Sequence, residues 1–314
     1  MSVQQETTST AVQPARRTAA PRSEWAKARE RLGWILITPT IVVIMVVAFY
    51  PLIRVLYLSL TNARLGSINA PRFLGFANYA ITFRDPTFLT ALNHTIVFTV
   101  LTVALETVFG LGIALIIHSN FRGRGAVRAA MLIPWAIPTV VSSRMWAFMF
   151  NDVFGVINDL LFTRLHLLSH KVAWIANPAT ALPAVIAVDV WKTTPFMALL
   201  LLAGLQVIPG DIYEAATVDG ASKLQQFWTM TLPLLRPALM VALIFRTMDA
   251  FRVFDMPFVI KGTAPETITL GIYARQQLVD FQKLGQGSAI SVIIFLFIVV
   301  FVVIYTWLLR SEEA

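Results

Sequence analysis

The chain has 314 residues, of which 57% are hydrophobic and only 13% are charged, and its formal net charge is +8. Soluble proteins typically carry about 25% charged residues, so this composition excludes an ordinary soluble protein. The absence of cysteine excludes disulfides, cysteine metal sites and thiol nucleophiles, and the four scattered histidines form no HExxH-like metal pair. Several stretches of about 20 apolar residues predict membrane spans instead.

The N-terminal residues are rich in Ser, Thr, Ala, Pro and Arg, which predicts a disordered cytoplasmic tail over residues 1–31. A cleaved signal peptide is not predicted, because the apolar run begins late, exceeds a typical signal core and lacks a clear small-x-small cleavage site. The tail is basic through Arg16, Arg17, Arg22, Lys27, Arg29 and Arg31.

Six apolar segments follow the tail, and each is predicted to cross the membrane as a helix. Pro134 and Pro138 break the third segment and Pro195 lies inside the fourth, and such prolines kink a membrane helix. The sequence therefore predicts an all-α integral membrane protein, with a transmembrane domain over 32–310 and a short tail over 311–314. The predicted spans are about 33–52, 91–118, 130–150, 181–207, 238–260 and 288–309.

Basic residues set the predicted orientation. They are dense just before the first span and in the short loop FRGRGAVR between the second and third spans, which favours the cytoplasm for both. An even number of spans then places both termini, and the loop between the fourth and fifth spans, in the cytoplasm.

The loop between the fourth and fifth spans, at about 208–236, is the longest run in the C-terminal half that cannot lie inside a membrane. Asp211 is predicted to be an N-cap, and Glu214 follows three residues later as in a capping box. Gly220 then allows a turn with φ > 0.

A second helix is predicted after this turn. Ser222 would cap it, and it would run from Lys223 to about Thr231, where Pro233 would end it. A polar helix–turn–helix between two spans is either a docking surface or an ordinary loop with local helix, and the local chemistry leaves both interpretations open.

Ionisable residues inside the predicted spans are the most informative feature. A charge in the middle of a bilayer costs about 2.5–3.5 kcal/mol, so these side chains are not expected to face lipid. They either neutralise each other as i,i+3 pairs or line a water-accessible cavity, which we favour for Asp249 and Arg252. The group comprises Glu106, Arg144, Asp189, Lys192, Arg246, Asp249, Arg252 and Asp255.

Two of these residues, and three nearby aromatic ones, have alternative interpretations. Glu106 lacks an obvious partner, whereas Arg144 is a candidate for a structural ion pair. Trp135, Trp191 and Phe196 can stack on the apolar faces of a sugar, or they can simply pack helices together. No GxxxxGK[ST] motif is present, so the chain has no recognisable means of binding and hydrolysing ATP by itself.

At this point the sequence resembles a known family. Glu214-Ala215-Ala216, three residues, Gly220 and then Leu232-Pro233 are similar to the EAA loop of bacterial ABC importer permeases, EAA-x3-G-x9-I-x-LP, with Met230 at the Ile position. WKTTPFMALLLLAGLQVIP and TLPLLRPAL resemble the carbohydrate-uptake class, and YPLIRVLYLSLTN and FLGFANY resemble its first, maltose-type permease. WKTTPFM with FRTMDAFRVFD looks closer to trehalose-importer permeases. The resemblance covers about residues 30–310.

The resemblance implies that this chain is the permease subunit of an ATP-driven sugar importer in the inner cell membrane. Such a subunit is not an enzyme by itself. It implies a heterodimer with a second permease, two ATPase subunits that bind ATP and Mg, and an extracytoplasmic sugar-binding protein. This chain would hold no cofactor and bind no nucleic acid. Glu214 and Asp219 would contact the ATPase, Ala215 and Ala216 would allow close approach, and Gly220 would form the turn.

Alignment with the family's sugar pocket implies a site near mid-membrane, for a disaccharide or oligosaccharide such as trehalose or maltose. One alternative keeps this architecture for glycerol phosphate or a polyol. Another is an ion-coupled secondary transporter working alone, in which the EAA loop has no role. The implied sugar-site residues are Trp135, Thr139, Lys192, Thr193, Phe196, Phe245, Met248, Asp249 and Arg252.

Overall fold

The computed structural model describes residues 24–310. It divides them into two compact units, one ending at Ile53 and one beginning at Arg54. Helix α1 (Glu24–Ile44) continues through a π-helical turn (Met45–Phe49) into α2 (Tyr50–Ser59). The predicted tail at 1–31 is therefore helical from Glu24, because Ala, Lys, Glu and Arg in this stretch are strong helix formers. The rest of that tail, and the tail at 311–314, lie outside the described residues.

The regular elements of residues 54–310 are helices joined by loops, and the one isolated β-bridge found within 24–310 pairs Thr61 with Phe73. The helices are α3 (Ala77–Arg84), α4 (Pro86–His118), α5 (Arg124–Met131), α6 (Ile133–Ala136), α7 (Thr139–Met149), α8 (Val156–Asn158), α9 (Pro178–Leu205), α10 (Gly210–Val218), α11 (Lys223–Gln226), α12 (Leu232–Phe251), α13 (Asp255–Lys261), α14 (Leu270–Arg275) and α15 (Leu284–Arg310).

Five helical segments of the described chain are long and apolar enough to cross a membrane, and a sixth arises if one bent pair forms a single span. The bent pair, Arg124–Ala136 and Thr139–Met149, turns through 88° and corresponds to the predicted third span. The six predicted apolar segments are thus confirmed as helices. They are Lys27–Ser59, Pro86–His118, the bent pair, Pro178–Leu205, Lys223–Lys261 and Leu284–Leu308.

The predicted break in the third span is confirmed, and proline chemistry explains it. Ile137 and Pro138 both have extended backbone conformations between α6 and α7. Pro138 lacks an N–H, and its ring disfavours a helical conformation for Ile137. The carbonyl groups at the end of α6 therefore have no helical partner and are available to other donors.

Two glycines allow the long helices to approach each other closely. A Cβ atom at Gly110 of α4 would lie 2.7 Å from Met197 Cγ of α9, and one at Gly204 of α9 would lie 2.3 Å from Ala238 Cβ of α12. Helices α4, α9 and α12 consequently pack against one another around buried apolar side chains. This arrangement brings the ionisable residues of three helices within reach of each other.

The fifth span differs from the single helix predicted at about 238–260. Helix α12 ends at Phe251, and α13 begins at Asp255 after a short non-helical stretch. Pro257 explains the interruption, because it has no N–H to donate to the Val253 carbonyl in a continuous helix. In the first turn of a new helix, by contrast, an N–H has no intrahelical acceptor, so proline is tolerated there. The break opens the side of the helix bundle on which Arg252 lies.

Two predictions for the 208–236 loop were wrong. Pro209 is the residue before α10, and Asp211 lies in the first turn rather than at the N-cap. There it interacts favourably with the helix dipole. Pro233 does not end the second helix either: the chain continues from α11 through a π-helical turn (Phe227–Thr231) into α12. Pro233 is the second residue of α12 and directly follows this turn, in which the Leu232 N–H donates to the Phe227 carbonyl five residues back.

The other two predictions for this loop are confirmed. Gly220 has φ +80°, a left-handed conformation that glycine adopts without steric cost. Ser222 caps α11 in a capping box, in which its side chain accepts from the Gln225 N–H and the Gln225 side chain accepts from the Ser222 N–H.

The segment between α13 and α15 is fastened to the start of α4. The Tyr273 hydroxyl donates to Asp85 Oδ2 at 2.5 Å, and the Leu270 N–H donates to Thr95 Oγ1 at 2.9 Å. Burial favours a higher pKa for Asp85, but hydrogen bonds from Tyr273 and Thr87 outweigh it and lower the pKa of this carboxyl below its ordinary value. The segment is therefore a fixed part of the bundle.

Candidate functional site: a polar cavity beside a buried charge cluster

A polar cavity of about 610 Å³ lies where the two broken spans meet α9. Its wall is formed by the break between α6 and α7, the middle of α9, and the break between α12 and α13. Both breaks expose backbone groups to the cavity. Uninterrupted helices would occupy this space instead. Six of the nine predicted sugar-site residues line this cavity: Trp135, Thr139, Lys192, Thr193, Asp249 and Arg252.

The other three predicted residues do not line it. Phe196 stacks on Trp135 with ring centroids 5.7 Å apart and an interplanar angle of 11°. Phe245 is 54% exposed one helical turn before Asp249, and Met248 is half-buried. On α12 the cavity is lined by Asp249, whereas Phe245 lies one helical turn earlier and Met248 is rotated by about 100° around the helix from Asp249.

A cluster of charges is buried directly behind the cavity. Arg246 is 1% exposed and is surrounded by three carboxylates from three helices. Its Nε and Nη2 atoms donate to the two oxygens of Glu106 at 2.5 and 2.7 Å. Nη2 also lies 3.1 Å from Asp189 Oδ2, and Nη1 lies 2.6 Å from Asp249 Oδ2. We refer to these four residues as the Arg246 cluster.

The Arg246 cluster supplies the partner that the sequence left unassigned for Glu106. Glu106 is fully buried on α4, and it accepts hydrogen bonds from Arg246 and from the Thr193 hydroxyl. A two-pronged contact between guanidinium and carboxylate is the strong geometry for such a pair. Glu106 is therefore an anchor of the cluster and not an isolated acid facing water.

Both interpretations of the charges on α12 hold at once. Arg246 pairs with Asp249, three residues along, as the structural interpretation requires. Asp249 and Arg252 also line the cavity, with side chains 58% and 65% exposed, as the favoured interpretation requires. The sweep of about 60° per three-residue step directs Arg246 into the bundle and the later residues towards the cavity.

Lys192 binds the backbone freed by the proline break. Its Nζ atom donates to the Ile137 carbonyl at 2.6 Å and to the Trp135 carbonyl at 3.4 Å. These carbonyls have no helical N–H partner, so the lysine both satisfies them and ties α9 to the third span. Its positive charge is accordingly engaged by the protein.

Two further expectations from the sequence have different outcomes in the structure. Arg144 is exposed and takes part in none of the ion pairs seen within residues 24–310. Trp191 lines a separate apolar cavity between α4 and α9 and packs edge-on against Trp146 at 5.3 Å. Trp191 is thus placed away from the polar cavity.

The residues predicted to couple to an ATPase lie on the 208–236 loop. Glu214, Ala215 and Asp219 are exposed, whereas Ala216 is buried. The loop is braced from within by Gln226, which is 3% exposed and whose Nε2 atom donates to Thr217 Oγ1 at 3.1 Å and to the Ala221 carbonyl at 3.0 Å. Sequence reasoning missed this brace, because a lone glutamine carries no recognisable signal.

Comparisons with known proteins agree on the family. Residues 106–312 match the family described as binding-protein-dependent transport system inner membrane component. The trehalose/maltose transport system permease protein MalF of Thermococcus litoralis is 42% identical over 279 residues, covering 88% of this chain and 92% of its own. The sulfoquinovosyl glycerol transport system permease protein SmoG of Agrobacterium fabrum is 37% identical over 294 residues, covering 93% and 94%. The trehalose transport system permease protein SugA of Mycobacterium tuberculosis is 40% identical over 268 residues, covering 85% of each chain.

A solved structure shows the same fold. A chain of the bacterial alginate ABC transporter, crystallised with an alginate pentasaccharide-bound periplasmic protein, superposes with a TM-score of 0.79 at 21% identity. The match covers 92% of this chain and 98% of that one. The chain therefore belongs to the family of binding-protein-dependent transport system inner membrane components and is a multi-pass permease of the cell membrane.

Proposed function

We propose that this chain is the permease subunit of an ATP-driven importer, forming half of the translocation pore and part of the site for an uncharged sugar such as trehalose or maltose. The observation that carries the proposal is the cavity wall, which combines the indole of Trp135 with the exposed charges of Asp249 and Arg252. Sugars are bound by such sets, since rings stack on their apolar faces and charged groups hydrogen-bond their hydroxyls. The names of the trehalose and maltose permeases among the relatives support this substrate class.

The charges around the cavity argue against glycerol phosphate. Arg246 is bound by carboxylates, and Lys192 lines the cavity but donates to backbone carbonyls, so Arg252 is the lining cation whose charged group is most exposed. An anion would enter against a net negative wall, which costs free energy. A polyol would lack the ring that Trp135 could stack on. Four carboxylates in or behind the wall face three cations: Glu106, Asp189, Asp249 and Asp255 against Lys192, Arg246 and Arg252.

The orientation and the partners form part of the proposal. Both termini and the 208–236 loop lie in the cytoplasm, as the basic residues before the first predicted span and in the FRGRGAVR stretch favour. The loop docks on an ATPase subunit through Glu214 and Asp219. A second permease completes the pore, two ATPases bind ATP and Mg, and an extracytoplasmic binding protein delivers the sugar.

Helical continuity supports a route for coupling. The chain runs from α11 through the π-helical turn into α12 without leaving helical structure. Displacement of the loop by an ATPase is therefore transmitted along α12 to its end, where Asp249 and Arg252 lie. A loop that ended at Pro233 in irregular backbone would transmit less of this movement.

Reconstitution tests the proposal. The chain is assembled in proteoliposomes with its partner permease, ATPases and binding protein, and ATP-dependent uptake of labelled trehalose and maltose is measured. We expect Asp249→Ala to lower uptake about tenfold or more, because hydrogen bonds to charged groups contribute about 1.5–3 kcal/mol. The assembled complex should form in normal amounts.

Asp159→Ala is the matched control, because Asp159 is an exposed carboxylate that pairs with Arg164 outside the cavity. It should leave uptake unchanged. Normal uptake by Asp249→Ala would mean that the charges on α12 form structural ion pairs and do not bind the sugar. Uptake by the chain without any ATPase would indicate an ion-coupled transporter, and preferential uptake of glycerol phosphate would overturn the uncharged-sugar assignment.

A further inference from the structure

Asp249 lies between two guanidinium groups that hold it differently. Arg246 Nη1 is 2.6 Å from Asp249 Oδ2, which is a short charged hydrogen bond. Arg252 Nη2 is 3.8 Å from Asp249 Oδ1, which is too long for a hydrogen bond. Oδ1 and the Arg252 donors are therefore both open to the cavity, although the two side chains are three residues apart and oppositely charged.

The position of Arg246 is fixed from behind. Its other donors are taken by Glu106 on α4 and Asp189 on α9, and all three side chains are at least nine-tenths buried. A guanidinium is a rigid planar fork, so these contacts determine where its remaining Nη1 edge points. That edge is the one that holds Asp249.

Without this hold, the pair on α12 would close. Charged residues of opposite sign spaced i,i+3 on a helix attract each other, and here their charged atoms need to move together by only about 1 Å to form a hydrogen bond. A closed Asp249–Arg252 pair would remove both an acceptor and a donor from the cavity. A sugar would then have to break the pair before it could bind.

We propose that Arg246 is a positioning residue for the sugar site, which holds Asp249 away from Arg252 so that both remain available to the hydroxyls of the substrate. This inference rests on the proposed function of the cavity. It assigns a role in transport to a side chain that is itself buried and does not line the cavity. A purely structural cluster would hold the helices together without acting through Asp249.

A double-mutant cycle separates these two roles. The initial rate of ATP-dependent uptake per assembled importer is measured with trehalose or maltose, whichever the wild-type importer takes up faster. Arg246→Gln and Asp249→Asn are each expected to lower the rate about tenfold, and the double variant should also lose only about tenfold. If the two effects instead multiply to about a hundredfold, Arg246 acts independently of Asp249 and the inference is overturned.

A charge-balanced variant keeps the test decisive if Arg246→Gln does not fold. Arg246→Met with Glu106→Gln removes one buried cation and one buried carboxylate, so the net charge of the cluster is unchanged. The cycle is repeated with Asp249→Asn in this background, and the expected outcome is again non-additive. The matched control is Arg275→Gln, since Arg275 pairs with Asp280 away from the cavity. Its effect on the uptake rate, if any, should multiply with that of Asp249→Asn.

The outcomes separate the inference from the function on which it rests. If the wild-type importer takes up neither sugar, the proposed function fails and the inference fails with it. If the wild type takes up sugar and the cycle is additive, only the positioning role of Arg246 is wrong.

Discussion

The Arg246 cluster and the 208–236 loop hold their helices together by opposite means. In the cluster, a cation and three carboxylates bind each other, and three of the four side chains are buried. In the loop, neutral groups join α10 and the turn to the residues that follow: Gln226 donates to Thr217 and Ala221, and the Tyr213 and Thr231 hydroxyls lie 3.0 Å apart. The charges of Glu214 and Asp219 remain exposed on the surface.

This difference shows how environment determines the use of a charge. Within the membrane, an unpaired charge loses its hydration without compensation, so each buried ion must be bound by the protein. In water, an exposed charge contributes little to folding and is free to bind a partner. The two regions should therefore respond differently to the same kind of substitution, and three variants test this in order of their expected effect on stability.

Glu106→Ala should have the largest effect on stability. It leaves the Arg246 guanidinium without the carboxylate that binds two of its nitrogens, and breaking a buried pair in this way costs about 3–5 kcal/mol. The melting temperature of the purified chain and its amount in membranes should both fall. Asp159→Ala, which breaks an exposed pair, should cost about 1 kcal/mol or less. Equal melting temperatures would mean that the cluster contributes no more than a surface ion pair.

Gln226→Ala should have an intermediate effect. It removes two hydrogen bonds that join the halves of the loop, and net losses of this kind are about 1–2 kcal/mol. Val218→Ala is the control, because Val218 is 88% exposed at the end of α10 and its truncation should change the free energy of unfolding by about 0.5 kcal/mol or less. Hydrogen exchange of the α10 and α11 amides measures the difference. Similar exchange rates in the two variants would mean that the hydrogen bonds of Gln226 do not stabilise the loop.

The sequence predicted the fold well wherever local chemistry decides it. Apolar length identified the six helical segments, and Pro134 and Pro138 identified the broken third span. It failed at Pro233, because a π-helical turn, which no local pattern signals, lets the helix continue. It also failed at Asp211, since the helix begins at Gly210, directly after Pro209, which is two residues earlier than a cap at Asp211 would allow.

For the candidate site, the sequence identified the charges but not their contacts. Asp249 and Arg252 stood out because a charge in a span is costly, and both line the cavity. The pairing of Glu106 with Arg246 joins residues 140 positions apart, and the helix packing that creates it leaves no local signal. The resemblance to a family implied Phe245 and Met248 as well, but on α12 the cavity is lined by Asp249.

Glu214→Lys should have the smallest effect on stability, and it therefore separates coupling from folding. Glu214 is exposed, so reversing its charge should change the free energy of unfolding by only about 0.5 kcal/mol. We expect sugar uptake per assembled importer to fall about tenfold or more, because the lysine would meet the ATPase surface that we propose the carboxylate binds. Asp159→Lys makes the same charge change at an exposed site outside the loop and should leave uptake intact. If Glu214→Lys supports normal uptake, the exposed charges of the loop do not dock, and the brace formed by Gln226 serves folding alone.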